Sequence, residues 1–522
     1  MTNPELLSGP ITLSRAKERG SNVLQQLEYP LLQRAFFQRL QSQSQVIRAI
    51  VAHHLGIDPG VCNVSAPEHW LCGSFNVCVP AEVETTRHSV DLGKGTRGQP
   101  TFVMVRFPLP YRIGESTHPG NTDEKLRCEA ATYAWLQANC PSVPIPHLYG
   151  MGLTTGQQFT YIRHAPWWSR WLHRFRQILS SLLGYPCPTD YIPHNSSVLA
   201  SLGLGYLVIE TVTEGSLLST AWEDNRENNR LQGNLQRSLA RILISLAAVP
   251  LPRIGAFRLD DAGHVQLDNR PLTMEVVMQE NEDIPLDMPR HETYTRVDDF
   301  VLACLDALQN RLVYQPNTMP SMADGCFELA ALTGARALFP QMLRKDLRSG
   351  PFVCTLTDLH RSNIIVDDDW NIVRIIDLEF ACSWPLEFQQ PPYWLGGQDA
   401  DEIDHESFSP HHDQFVHILE EQERLAQRMS SKLSATMRES WTSGTFWLAL
   451  ATQNAIAFTW IFWYQLLPRR LSLTIDHTTD FMLLANLGGG KYIIHRKVQD
   501  YQQYLRKLEF LFSQHSVDAP QS

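Results

Sequence analysis

The sequence predicts an α+β fold in two unequal parts, a small strand-rich unit followed by a larger, mainly helical one. Three observations predict it. Two strand-like apolar runs, Ser74–Val83 and Thr101–Pro110, stand before a segment of helical spacing over Asp123–Gln137, and a third apolar run follows at Gly205–Val212. From Leu231 onward apolar residues recur mostly three and four apart. The 522 residues are 43% hydrophobic and 19% charged, enough to bury a sizeable core and unlike a disordered chain.

Taken in order, residues 1–60 read as an N-terminal helical extension. Leu27–Leu40 and Val46–Leu55 carry the apolar spacing, with Pro30 interrupting. Residues 61–212 form the strand-rich unit, with a glycine-bearing turn expected over 91–99 and an insertion over about 160–200. Asp123 and Glu124 open its helix, where acidic residues suit the first turn. Residues 213–522 form the helical part. It starts with an amphipathic run from Leu231 and a hairpin around Asp261-Ala262-Gly263.

Charge and cysteine usage exclude some classes. With 44 Lys and Arg against 55 Asp and Glu, the net charge is −11, and the basic footprint of a nucleic-acid binder is missing. The ten cysteines form no CxxC pair and read as buried free thiols, which points to a reducing, cytoplasmic setting. Residues 440–468 lack charge but hold Thr445, Thr452, Gln453, Asn454, Thr459 and Gln465. A buried helix is therefore expected there and no stable membrane insertion. Residues 167–186 are basic and aromatic. They read as a membrane-surface helix or as a peripheral helix packing Trp167, Trp171, Phe175, Ile178 and Leu182 onto the lobe, and the packed form is the expectation.

The chemistry sits in Asp358-Leu359-His360-Arg361-Ser362-Asn363, followed by Asp377-Leu378-Glu379. Asp358 and Asn363 are five apart, Asp377 lies fourteen further on, and Ile364–Val366 with Val373, Ile375 and Ile376 suggest a hairpin between them. This spacing is that of a phosphoryl-transfer loop. One carboxylate (Asp358) orients and deprotonates an acceptor hydroxyl, while an amide oxygen (Asn363) and a second carboxylate (Asp377) hold Mg2+ against nucleotide phosphates.

On these residues the chain resembles the aminoglycoside phosphotransferase and choline kinase group, of two-lobed protein-kinase-like fold, in the form found in fungal phosphotransferase-family proteins. The family's His-Gly-Asp-x-x-x-x-Asn appears as Leu356-Thr357-Asp358 through Asn363, and its metal motif as Asp377-Leu378-Glu379. The resemblance extends through Cys382–Leu395. It implies a nucleotide loop at Gly73, Ser74, Phe75 and Asn76, a phosphate-pairing cation at Arg106 in place of the usual Lys, and a helical partner for it at Glu129. It also implies an adenine-bearing strand at Ile209, Glu210, Thr211 and Val212. ATP as co-substrate, Mg2+ and a small-molecule hydroxyl acceptor follow from the same resemblance. No Ala-Pro-Glu follows Asp377, which turns the expectation from protein substrates to small molecules. Arg106 for Lys and Leu356 for His depart from the pattern, and they keep a catalytically impaired pseudokinase-type binding protein as the alternative. Asp399, Asp401, Glu402, Asp404 and Glu406 suit either a cationic acceptor or a solvated acidic loop.

Overall fold

The computed structural model describes residues 4–84, 101–426, 433–471, 483 and 489–517, so the turn expected over 91–99 lies outside the described residues. Alternating side chains build the first layer. Eight strands, β1 (Cys62–Val64), β2 (Leu71–Cys72), β3 (Asn76–Val83), β4 (Thr101–Pro108), β5 (Leu148–Gly152), β6 (Gln157–Tyr161), β7 (Tyr191–Asn195) and β8 (Tyr206–Glu210), form one antiparallel sheet. Its order is β1-β3-β4-β8-β5-β6-β7, with β2 also on β3. Along β3, Val77, Val79, Ala81 and Val83 point to one face and are fully buried, as a period of two requires.

That face is covered by α1 (Tyr29–Ser42) and α2 (Ser44–Leu55), whose Phe36, Leu40, Ile47, Ile50 and Leu55 share a core with Val77, Val79 and Val105. Pro30 begins α1 rather than interrupting it, the position where its missing N–H costs least. Residues 29–55 thus belong to the sheet's core, while Leu6, Ile11, Ala16 and Val23 pack on Tyr504, Leu508 and Phe512 of the last helix. The opposite face is covered by α3 (Asn121–Asn139). Its Leu126, Ala130 and Tyr133 meet Leu148, Met151 and Leu207.

A long helix, α4 (Trp167–Leu183), connects β6 to β7. Here the structure corrects the sequence expectation. Trp167, Trp171, Phe175, Ile178 and Leu182 do not pack on the lobe but face solvent, because the helix turns its polar side inward.

The second part is mainly helical: α5 (Asn229–Ala247), α6 (Val297–Tyr314), α7 (Met322–Met342), α8 (His405–Leu425), α9 (Leu433–Ser443) and α10 (Thr445–Gln453) surround one apolar core. Small strand pairs lie at its junction with the sheet. β9 (Ser216–Leu217) joins β13 (Ile364–Val366) and β14 (Ile372–Ile375), β10 (Ala256–Leu259) pairs β11 (Val265–Asn269), and β12 (Phe352–Leu356) pairs β15 (Ala381–Pro385). The uncharged stretch 440–468 is largely buried, with Ile456 and Tyr464 exposed, and is not one helix. Gly444 adopts φ +86° between α9 and α10, and α10 ends at Gln453 with Asn454 extended beyond it. No helix among the described residues is long and apolar enough to cross a membrane. Of the ten cysteines only Cys62, Cys128, Cys140, Cys354 and Cys382 are buried as expected; Cys78, Cys304 and Cys326 are half-buried, and Cys72 and Cys187 are exposed.

Candidate active site

The loop after β12 is folded by its own backbone. Leu359 N–H donates to the Leu356 carbonyl, and Asn363 N–H donates to that of His360. The Asn363 amide donates to the Asp358 carbonyl at 2.9 Å and to its carboxylate Oδ2 at 3.0 Å. The β13–β14 hairpin then returns the chain. Ile364 faces Ile375, Ile365 faces Arg374 and Val366 faces Ile372, so Arg374 and Ile372 stand in place of the expected Val373 and Ile376. Ile376 N–H donates to the Asn363 carbonyl, which delivers Asp377 beside Asn363. Thr357 Oγ1 donates to the Phe380 carbonyl at 2.5 Å and Trp394 Nε1 to the Leu359 carbonyl at 2.8 Å. The loop thus has side-chain supports although Leu356 stands where the resemblance has His.

Asp377 sits at φ +62°, a left-handed conformation that Asp tolerates better than most residues. Its carboxylate meets Arg106, which is 5% exposed and at the centre of the site. One Arg106 nitrogen also reaches Glu129 at 2.6 Å, and the other reaches Glu379 at 3.0 Å. Lys125 closes the network by pairing with Glu379 and donating to Asn76 Oδ1 at 2.7 Å, while Asn76 donates to Glu379 at 2.7 Å. Residues from β3, β4, α3 and the loop after β14 therefore share one buried cluster of two cations and three carboxylates.

Burial and charge set the titration. Burial works against the charge on Arg106, but Asp377, Glu129 and Glu379 outweigh it and hold its pKa well above the usual value. Burial lifts Glu129 to about 7 against the pull of Arg106 and Lys125, and its Oε2 has no hydrogen-bond partner. Burial also raises Asp377, whereas Lys125 and Arg106 overcome it at Glu379, which is lowered. Asp358 is pushed up to about 7 by burial, then by Asp377 and Glu379.

Asp358 borders two cavities. One of about 70 Å3 lies against Met274, Trp384, Thr452 and Gln453, and the other, of about 190 Å3, against Gln389, Tyr393, Phe446 and Gln453. Helix α10 contributes to both, so the helical part builds the surroundings of this carboxylate.

The other sequence-predicted residues lie as follows. Gly73 and Ser74 are exposed in the turn from β2 to β3, but Gly73 N–H already donates to the Asn76 carbonyl and is not a free phosphate donor. Phe75 and Asn76 point inward, Phe75 against Phe380 and Asn76 into the charged cluster, so this turn does not present four residues to a nucleotide. Ile209, Glu210, Thr211 and Val212 are half-buried at the end of β8, and Glu210 accepts the His147 N–H at 2.9 Å. Of the acidic run, Asp404 caps α8 by accepting from Glu406 and Ser407 N–H groups.

Sequence reasoning missed Lys125, Thr357 and the role of Glu379. Lys125 could have been found, since it precedes Glu129 by one helical turn and shares its face. The donor set also fits a hard cation. Asp358 accepts both donor contacts of the Asn363 amide nitrogen, the amide oxygen accepts from Ser362 Oγ at 3.5 Å, and together with the Asp377 carboxylate the loop offers oxygen ligands only. Among the described residues there is no cluster of three His, Cys, Asp or Glu side chains able to hold a metal by itself.

A model of the Phosphotransferase enzyme family matches residues 163–388, somewhat under half of the chain. No curated protein matches it. The matched stretch contains Ile209–Val212, Asp358, Asn363, Asp377 and Glu379, and it begins beyond Arg106, Lys125 and Glu129.

Proposed function

Proceeding from the similarity of residues 163–388 to phosphotransferase enzymes, we propose that this chain transfers the γ-phosphoryl group of MgATP to a hydroxyl of a small molecule. The observation that carries the reading is the convergence of Asp358, Asn363 and Asp377, with Asp358 bordering two cavities. In this reading Asp358 accepts the proton of the acceptor hydroxyl. Its carboxyl, pushed up to about 7, is poised for that transfer near neutral pH. Asn363 and Asp377 would hold Mg2+, which when bound supplies charge neutralisation at the phosphates. Arg106, itself held by Glu129 and Glu379, pairs directly with Asp377 and so ties β4 and α3 to the loop after β14. The acceptor lies against α10 and Tyr393, and a two-lobed kinase-like arrangement with ATP beside Ile209–Val212 accords with the strand order and the family match.

A second reading, a nucleotide-binding or scaffold protein without transfer, draws on one observation. Both terminal nitrogens of Arg106 are already taken by carboxylates, so a phosphate contact would have to compete for them. Titration with ATP, with and without Mg2+, separates the readings. The enzyme binds MgATP, loses that binding in Asp377→Ala, and in Asp358→Ala keeps binding but loses transfer. Folded protein that binds no nucleotide would overturn the proposal.

A further inference from the structure

Helix α4 carries its amphipathic faces in the reverse of the order expected for a helix packed on a domain. Ser169, His173, Gln177 and Ser180, three and four residues apart, turn toward the protein. His173 Nε2 donates to the Thr189 carbonyl at 2.7 Å, and the Gln177 amide donates to the Pro188 carbonyl and the Asp190 carboxylate. The opposite side carries Trp167, Trp171, Phe175, Ile178 and Leu182, between 51% and 79% exposed. Among the described residues nothing covers this stripe, and an apolar patch of that kind marks an interaction surface.

Charge indicates what covers it. Arg170, Arg174 and Arg176 flank the stripe and Arg163 precedes it, and all four are exposed. In a chain of net charge −11, no Asp or Glu occurs between Ala130 and Thr189. Three of these arginines, with His53 and His194, also border a cleft of about 940 Å3 between α4, α2 and β7.

We propose that α4 is an interfacial helix that seats the protein on an anionic bilayer surface. The tryptophans and aliphatic side chains enter the headgroup and acyl boundary, and the arginines meet lipid phosphates and carboxylates. A second copy of the chain fits the face less well. Opposing two such stripes sets arginine against arginine without a carboxylate between them. The helix is 17 residues long and bears three arginines, so it lies on the membrane rather than across it. Seated this way, the protein meets the membrane through the β7 end of its sheet, away from β3 and β4.

The test is flotation of the full chain with vesicles of phosphatidylcholine alone or containing about a third phosphatidylserine. The wild type floats with the anionic vesicles, shows a blue-shifted tryptophan emission on binding, and is released by added salt. The exposed double substitution Trp171→Glu with Phe175→Glu abolishes flotation while leaving the thermal melt and nucleotide binding unchanged. Arg170→Glu with Arg174→Glu weakens partitioning by roughly fivefold or more per site. Failure of the folded wild type to bind anionic vesicles overturns the proposal, as does undiminished binding by the Trp171→Glu, Phe175→Glu variant. Self-association through this face without vesicle binding would equally overturn it.

Discussion

Replacing Asp358 by Asn should stabilise the protein above neutral pH while removing transfer. In the ligand-free protein, burial and then Asp377 and Glu379 push the Asp358 carboxyl from its ordinary 3.8 to about 7. A rise of about three units corresponds to ~4 kcal/mol between the two protonation states. The side chain borders two cavities, and solvent screening there brings the figure to ~2 kcal/mol. The sign follows from the direction of the shift. Folding favours the protonated form, so the stabilising contribution is complete below about 3.8 and is lost as pH rises through about 7. Asn does not titrate and keeps the same shape, and its oxygen can still accept from the Asn363 amide. Urea unfolding of both proteins, followed by circular dichroism at about pH 5 and about pH 8, reads the effect. The variant should gain on the wild type by ~1–2 kcal/mol between the two, with an unchanged denaturant slope. Saturating MgATP should shrink that gain, because a bound cation favours the ionised carboxylate. An equal difference at both pH values, or a less stable variant at the higher one, would refute the assignment of Asp358 as a carboxyl strained by its neighbours.

Arg106→Lys should destabilise the fold by ~2–4 kcal/mol in urea titrations, because an ammonium cannot reach Glu129 and Glu379 together as the planar guanidinium does, and a buried carboxylate is left unpaired. Lys125→Met should cost ~3 kcal/mol by taking away one of the two cations that face the buried Glu379, and Glu379→Gln added to it should recover part of that loss, a coupling readable in a double-mutant cycle. Thr357→Val removes the bond to the Phe380 carbonyl. It should cost ~1 kcal/mol of stability and lower kcat more than it changes KM, measured once an acceptor is found. MgATP at about a hundred times its Kd should raise unfolding free energy by ~2.7 kcal/mol in the wild type and by far less in Asp377→Ala, as read by thermal melting.

Much of the fold and of the loop was legible in the sequence because local rules govern both. Val77, Val79, Ala81 and Val83 alternate as a half-buried strand must, and Asp123–Gln137 repeats as a helix must. Spacing alone marked Asp358, Asn363 and Asp377, since one hairpin with a short turn brings the ends of that segment together whatever surrounds it. Where the reading failed, the deciding contacts are long-range. Asn76 looks like a loop residue from its neighbours, but Lys125 and Glu379 draw it into the interior from far along the chain. Helix α4 shows the same limit. Its pattern marks an apolar face but not which side meets the protein, and that is decided by Thr189, Pro188 and Asp190 beyond its end.

The charged cluster links the two parts through a balance that no single motif reveals. Arg106 and Lys125 face Glu129, Asp377 and Glu379, so the buried set carries one negative charge in excess, and Asp358 adds a second when ionised. Burial lifts Glu129 to about 7 against the pull of Arg106 and Lys125, and lifts Asp358 to about 7 with Asp377 and Glu379 adding to it, so without a bound cation protons on these two carboxyls offset that excess near neutral pH. A divalent cation shared by Asn363 and Asp377 would relieve it instead and free Asp358 to act as a base. Binding of the cation should therefore release protons near neutral pH. Calorimetric titration of Mg2+ with ATP in two buffers of different ionisation enthalpy measures that release. A value of zero in protein that does bind the metal would show that the excess charge is compensated elsewhere and that Asp358 is already ionised.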